Sequence, residues 1–379
     1  MAGLSVVTDP FGIRRDLCNC RLPFFKTRQL RNLRRPERRF IDAGSGSSKP
    51  RATSRKIPHQ VILTGTSENP IPSGADAGFF TTDDGVKLRY CRWKPANQPS
   101  KGTLCLFAGR GEFIEKHFET VADLRRRGFH VAVLDWRGQG LSDRLLKERR
   151  RSHIRHFRQY ESDVKAFLAE IVLPDCPPPF FALGHSMGAL ALLHYAASAR
   201  PVWFQRMVLC SPMVKLTGKS LPMPLIRLLA RLACRVGLGG MEIPGRSGTP
   251  AELQLFEDNE VTSDPVRFAR FKGILEAAPE LSSGKPTLGW LNAALSAMAA
   301  LRQEEFVRRI ESPVLMIAAG RDKVVSRRAI EHLGARLTLG GAVTIDGARH
   351  DLLNEQDIYR DQFWAAFDAF IPGSDRDQA

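Results

Sequence analysis

Phe180-Phe181-Ala182-Leu183-Gly184-His185-Ser186-Met187-Gly188 reads as a short apolar strand that turns directly into a helix, with a G-x-S-x-G pattern at the turn. A serine on so tight a turn sits in a strained backbone conformation. Glycines two residues to either side are needed there, because a Cβ would collide with neighbouring chain. The turn lifts the Ser186 hydroxyl clear of the sheet edge, and the helix beginning at Met187 aims its first amides and positive dipole end at the same spot. Strand before and helix after make this pattern far more specific than its letters alone.

Outward from this point, apolar runs alternate with helical periodicity. The pattern predicts strands over 86–93, 103–108, 130–135, 179–183, 206–211, 314–318 and 342–346, with helices over 116–127, 159–171, 187–199, 327–335 and 355–370. Strands joined through helices are the sequence mark of a mostly parallel sheet covered on both faces, since parallel neighbours need crossover connections. The alternation breaks between about 212 and 305, where apolar residues recur at helical steps over 225–236 and 291–302. That stretch reads as a helical insertion.

A serine hydroxyl attacks only when a base takes its proton, so an acid and then a histidine are expected downstream. The strand ending Ala318-Ala319-Gly320-Arg321-Asp322 runs into an acid, and the strand ending Ile345-Asp346-Gly347-Ala348-Arg349-His350 runs into a histidine. Both lie just past the carboxyl ends of consecutive strands, where open α/β sheets build their sites. Asp346 and Asp351 compete with Asp322 for the acid's place, but both are too near His350 in sequence to face its remote nitrogen easily. The oxyanion donors expected are the backbone N–H of Met187 and that of Arg110, in the loop Gly109-Arg110-Gly111-Glu112 after the strand over 103–108.

Composition sets the outer limits. With 379 residues and 43% hydrophobic content, the chain can bury a full core, which excludes disorder throughout. The net charge of +16 is uneven: residues 1–60 hold 14 Lys+Arg against 4 Asp+Glu, leaving a mildly basic body and no expectation of nucleic acid as partner. That arm, with Arg34-Arg35-Pro36-Glu37-Arg38-Arg39 and a Gly/Ser-rich stretch over 43–50, reads as a solvated tail whose charge also suits peripheral association with an anionic membrane. The seven cysteines read as free thiols of a reducing compartment, and Cys18 and Cys20 have the wrong spacing for zinc, so no metal and no cofactor is expected. No apolar run reaches the ~20 residues of a membrane span. The opening residues lack the features of a secretory signal, and the expected location is cytoplasmic, with peripheral placement on the inner membrane face as the variant the arm allows.

The elbow over 184–188, together with Asp135-Trp136-Arg137-Gly138-Gln139-Gly140-Leu141-Ser142, resembles the lysophospholipase and monoacylglycerol-lipase group of α/β-hydrolases, a group that also takes in serine aminopeptidases. The resemblance covers about 79–370. Asn259-Glu260-Val261-Thr262-Ser263-Asp264-Pro265-Val266-Arg267-Phe268 and Gly284-Lys285-Pro286-Thr287-Leu288-Gly289-Trp290-Leu291 look most like bacterial lysophospholipases of the L2 type. The resemblance implies an α/β-hydrolase fold with core 61–211 and 306–372, a helical lid over 212–305 and a tail over 373–379. It also implies that Ser186, Asp322 and His350 act together and that the substrate is a small single-acyl lipid ester, lysophospholipid or monoacylglycerol. Ala108-Gly109-Arg110 departs from the monoacylglycerol-lipase pattern of His-Gly followed by a small residue. Arg110 therefore either meets a substrate phosphate or pairs with Glu112 or Glu115. Glu112 and Trp290 are further candidates for contact with substrate, Trp290 with packing under the lid as its other use. A peptidase would need acids for a substrate amine, and Glu112 and Asp264 are the residues available. A binding protein on an inactive scaffold is the remaining alternative.

Overall fold

A computed structural model describes residues 62–96, 99–217, 223–243 and 254–373. The strands in chain order are β1 (Asp76–Thr81), β2 (Lys87–Trp93), β3 (Thr103–Phe107), β4 (His130–Leu134), β5 (Arg151–Ser152), β6 (Phe180–His185), β7 (Arg206–Cys210), β8 (Lys285–Pro286), β9 (Val314–Ala319) and β10 (Gly340–Ile345). The helices are α1 (Phe118–Arg126), α2 (Arg158–Phe167), α3 (Leu173–Asp175), α4 (Met187–Ser198), α5 (Met223–Arg235), α6 (Pro265–Ala277), α7 (Leu288–Ala300), α8 (Glu304–Arg308), α9 (Arg327–Gly334) and α10 (Asp357–Phe370).

Eight strands form one sheet in the order β1-β2-β4-β3-β6-β7-β9-β10. From β4 to β10 all neighbours are parallel, while β1 and β2 join as an antiparallel edge. Strand alternation divides the apolar residues between two cores. Cys105 and Phe107 of β3 enter the one shared with α2, α4 and α9, and Leu104 and Leu106 enter the other, shared with α1 and α10. The mostly parallel sheet with helices on both faces is the architecture the sequence pattern predicts. β1 was not anticipated, and neither was the two-residue pairing of β5 with β8.

Every residue from Met187 to Ala197 is buried, so α4 runs through the interior with apolar side chains all round, as a central helix must. Between β7 and β9 the chain builds α5 to α8, and this segment is fastened at several points. The Ala297 carbonyl accepts from His194 Nε2 of α4 at 3.1 Å, and Trp290 Nε1 donates to the Tyr160 hydroxyl at 3.2 Å. Phe271 of α6 stacks on Phe113 at 5.9 Å. Among the described residues no helix is long and apolar enough to cross a membrane. The basic arm over 1–60 and all but the first residue of the 373–379 tail lie outside the described residues.

Candidate active site

Ser186 sits between β6 and α4 with φ +49° and ψ −109°, a conformation rare for a residue with a side chain and of order 1–3 kcal/mol in strain. Its glycine neighbours are needed for contact reasons. A Cβ at Gly188 would lie 2.2 Å from the Phe107 carbonyl oxygen, and one at Gly184 would lie 2.7 Å from Leu192 Cδ1 and 2.9 Å from Ala189 Cα. The elbow therefore lets the first turn of α4 press directly on the end of β3.

Downstream, β9 and β10 deliver their loops to the same rim. His350 Nε2 lies 3.0 Å from Ser186 Oγ, and His350 Nδ1 lies 2.7 Å from Asp322 Oδ2. The other Asp322 oxygen accepts the N–H groups of Val324 and Val325 at 2.7 and 2.9 Å, which fixes the carboxylate. With Nδ1–H turned to Asp322, the Nε2 lone pair faces the serine hydroxyl, the arrangement a general base requires. Both rivals lie elsewhere. Asp346 is solvent-exposed near Arg327, and Asp351 pairs with Lys116 at 2.7 Å.

The loop after β3 is held from three sides. Trp136 Nε1 donates to the Ala108 carbonyl at 2.8 Å, Glu112 Oε2 accepts the Gly109 N–H at 2.5 Å, and the Gln139 side-chain oxygen accepts the Gly111 N–H. The Gln139 amide also reaches Met187 Sδ at 3.9 Å, linking this loop to the start of α4. Gln139 belongs to the 135–142 loop, which Asp135 closes by accepting from Ile114 and Leu141 N–H and from Arg89 Nε. Gly140, at φ +52°, is required there, because a Cβ would stand 1.8 Å from Asp135 Oδ2.

His185, the residue before Ser186, belongs to a buried cluster of four charged groups. Lys116 Nζ bridges Glu112 and Asp351, 2.7 Å from each, and Glu112 Oε1 lies 2.9 Å from His185 Nδ1. His185 Nε2 faces the His350 carbonyl oxygen at 3.3 Å, so both ring nitrogens meet acceptors and only the imidazolium satisfies both. Burial opposes that charge, but Glu112 and Asp351 outweigh it and raise the His185 pKa. Burial likewise opposes the charges of the two carboxylates, yet His185 and Lys116 hold Glu112 well below the usual range, and Lys116 and His185 lower Asp351. Glu112, His185 and Asp351 are also the one trio of metal-ligand types gathered closely among the described residues. The Lys116 ammonium already serves as counter-ion to both acids.

The residues expected to touch substrate divide. Glu112 is 5% exposed and its oxygens are taken up by Lys116, His117, His185 and Gly109, so it organises the loop from inside. Trp290 is 4% exposed and packs against the α2 and α4 core, which accords with the packing use. Arg110 extends the other way. Its Nη1 donates to the Gly284 carbonyl at 3.2 Å and its guanidinium lies 5.7 Å from the Trp290 ring centre, while Glu115 is held by Arg89. The 259–268 motif supports the histidine loop. The Val261 carbonyl accepts the Asp351 N–H at 2.7 Å, Thr262 Oγ1 donates to the Asn354 carbonyl at 2.6 Å, and Ser263 donates to Glu355. Asp264 caps α6 through the Arg267 N–H and pairs with the Arg267 guanidinium.

Fold and site together define an α/β-hydrolase scaffold with a serine, a histidine and an aspartate gathered at the strand ends. The chain belongs to the serine aminopeptidase S33 family, whose model matches residues 98–357. Over 276 residues it is 28% identical to a probable lysophospholipase L2 of Haemophilus influenzae, covering 73% of this chain and 85% of that one. It is 26% identical over 285 residues to a monoglyceride lipase of Rattus norvegicus, covering 73% and 78%. Among solved structures it resembles a soluble variant of monoglyceride lipase from Saccharomyces cerevisiae, with a TM-score of 0.64 at 18% identity, covering 80% and 96%. That likeness speaks to the fold.

Proposed function

We propose that this protein hydrolyses the carboxylic ester of a single-acyl lipid through an acyl-enzyme, with lysophospholipid as its first substrate. The observation that carries the proposal is the chain of contacts Asp322 to His350 to Ser186, at 2.7 and 3.0 Å. Ser186 Oγ forms a bond to the ester carbonyl carbon while its proton passes to His350 Nε2. The Met187 and Arg110 N–H groups receive the resulting oxyanion. The bond to the alcohol then breaks, His350 returns the proton to that alcohol, and Asp322 stabilises the imidazolium in between. Water repeats the sequence on the acyl-serine and releases the fatty acid.

Likeness to lysophospholipase L2 proteins over nearly three quarters of the chain supports the choice of substrate. The Arg110 guanidinium, extended toward Gly284, suits a phosphate through its fork of donors. Monoacylglycerol is the second reading, favoured by likeness to monoglyceride lipases. The acids available for a peptide amine, Glu112 and Asp264, are both engaged within the protein, which weighs against peptidase action. A panel of lysophospholipids, monoacylglycerols and aminoacyl amides tests the proposal, with lysophospholipid expected to turn over fastest. Arg110→Ala is expected to lower lysophospholipid hydrolysis more than monoacylglycerol hydrolysis, and an equal loss on both contradicts the phosphate role.

A further inference from the structure

Both chain neighbours of His350 are tied to one short turn that lies far away in the sequence, between β7 and α6. Arg349 Nη1 donates to the Asn259 and Thr262 carbonyls at 2.9 Å each. The Asp351 N–H donates to the Val261 carbonyl at 2.7 Å. The turn is closed from within by the buried Asn259 side chain. Its oxygen accepts the Val261 and Thr262 N–H groups at 2.9 and 3.3 Å, and its amide donates to the Thr262 carbonyl at 2.6 Å. An asparagine that bonds the backbone two and three residues on holds its turn without help from a strand or helix.

Glu355 joins the same two pieces of chain a second time. Its carboxylate is fully buried and divides its acceptors: Oε1 takes the Arg349 N–H at 2.6 Å, while Oε2 takes the Ser263 N–H at 2.9 Å, the Ser263 hydroxyl at 2.6 Å and the Gln356 N–H at 3.0 Å. All four donors are neutral. A buried carboxylate of this kind is satisfied only while its donors keep their places, since each lost bond leaves a desolvated oxygen. The backbone of Arg349 is thus held to Ser263 across one rigid, planar group. These attachments converge on residues 349 and 351 and leave the imidazole between them free to meet Ser186 and Asp322.

We propose that Glu355 is a positioning residue, which with Arg349 and the 259–263 turn sets the place of the His350 imidazole against Ser186. The segment between β7 and β9 then acts on the reacting atoms without touching them. This inference rests on the reading of Ser186 as nucleophile and His350 as its base.

Glu355→Gln tests it. The single side-chain oxygen of glutamine goes to the side with three donors, which turns its NH2 toward the Arg349 N–H, donor against donor. The tie to Arg349 breaks while the tie to Ser263 is kept. On a soluble short-chain ester, kcat is expected to fall by about 10–10²-fold with KM unchanged, the scale of misplacing a reacting group by about 1 Å. Fluorophosphonate labelling of Ser186 should slow by the same factor. In the His350→Ala background the same substitution should change the residual labelling rate by less than about twofold, because a residue that acts through the imidazole has nothing left to act on. Arg349→Met, at a partly exposed position, is the second variant, with kcat expected about tenfold lower and the same loss of effect once His350 is gone. Native kcat and labelling rate in either folded variant overturn the inference. So does an equally large loss in the His350→Ala background, which marks Glu355 as a support of the fold alone. A native chain whose Ser186 is not labelled at all overturns the hydrolytic reading, and this inference with it.

Discussion

Glu112 Oε1 and His185 Nδ1 meet at 2.9 Å, one residue before Ser186, and the other oxygen of the same carboxylate holds the Gly109 N–H. One buried acid thus ties the loop after β3 to the strand that presents Ser186. If the Arg110 N–H is an oxyanion donor, Glu112 is what fixes its distance from the nucleophile.

Replacing Glu112 with Gln should therefore act on turnover more than on substrate binding. We expect kcat to fall by up to about 10²-fold, the scale of losing one oxyanion donor, with KM little changed. Steady-state kinetics on a soluble ester reads the split, and an equal change in both constants assigns Glu112 to general folding only.

Lys116→Met should be among the most destabilising substitutions near the site. It leaves Glu112 and Asp351 as buried carboxylates without their ammonium, a loss of about 3–5 kcal/mol. Chemical denaturation of the purified variant measures it.

The raised pKa of His185 has a defined sign. Its imidazolium contributes stability that is fully present below the unfolded histidine value of about 6.5 and is lost as pH rises through the higher folded value. The denaturation midpoint should thus decline as pH climbs above about 6.5, and His185→Gln should remove that part of the slope. Glu112 and Asp351, lowered by their partners, work at the other end: their stabilisation is lost only in acid, as pH falls through their folded values.

Much of the architecture was legible because parallel strands buried on both faces are short unbroken apolar runs, and β3, β4, β6, β7 and β9 all have that form. β1 was missed because an edge strand reading Asp76-Ala77-Gly78-Phe79-Phe80-Thr81 lacks both the run and the alternation. Asp322 and His350 could be chosen from their places at consecutive strand ends. The roles of Lys116, His185 and Asp351 could not, because a neutralised buried cluster depends on which charges face one another across the chain, Glu112 with His185 over 73 residues and Lys116 with Asp351 over a still longer stretch. The partners of Glu112 were hidden for the same reason: a loop acid beside a site looks water-facing until they are seen.

Glycine substitutions test the close approaches in the 135–142 loop and at the elbow. Gly140→Ala combines a positive φ with a Cβ driven into Asp135, and should destabilise by well over about 1 kcal/mol. Gly188→Ala, which drives a Cβ into the Phe107 and Ala108 carbonyls, should abolish activity even where folded protein is recovered. Thermal unfolding and hydrolysis of a soluble ester give the two readouts.

Activation of Ser186 by His350 is read from covalent labelling of the full chain with a fluorophosphonate, the adduct being located by mass spectrometry. One adduct is expected, on Ser186, formed at a rate that His350→Ala and Asp322→Asn reduce by orders of magnitude. Labelling on another serine, or labelling of Ser186 at an unchanged rate when His350 is gone, would contradict it.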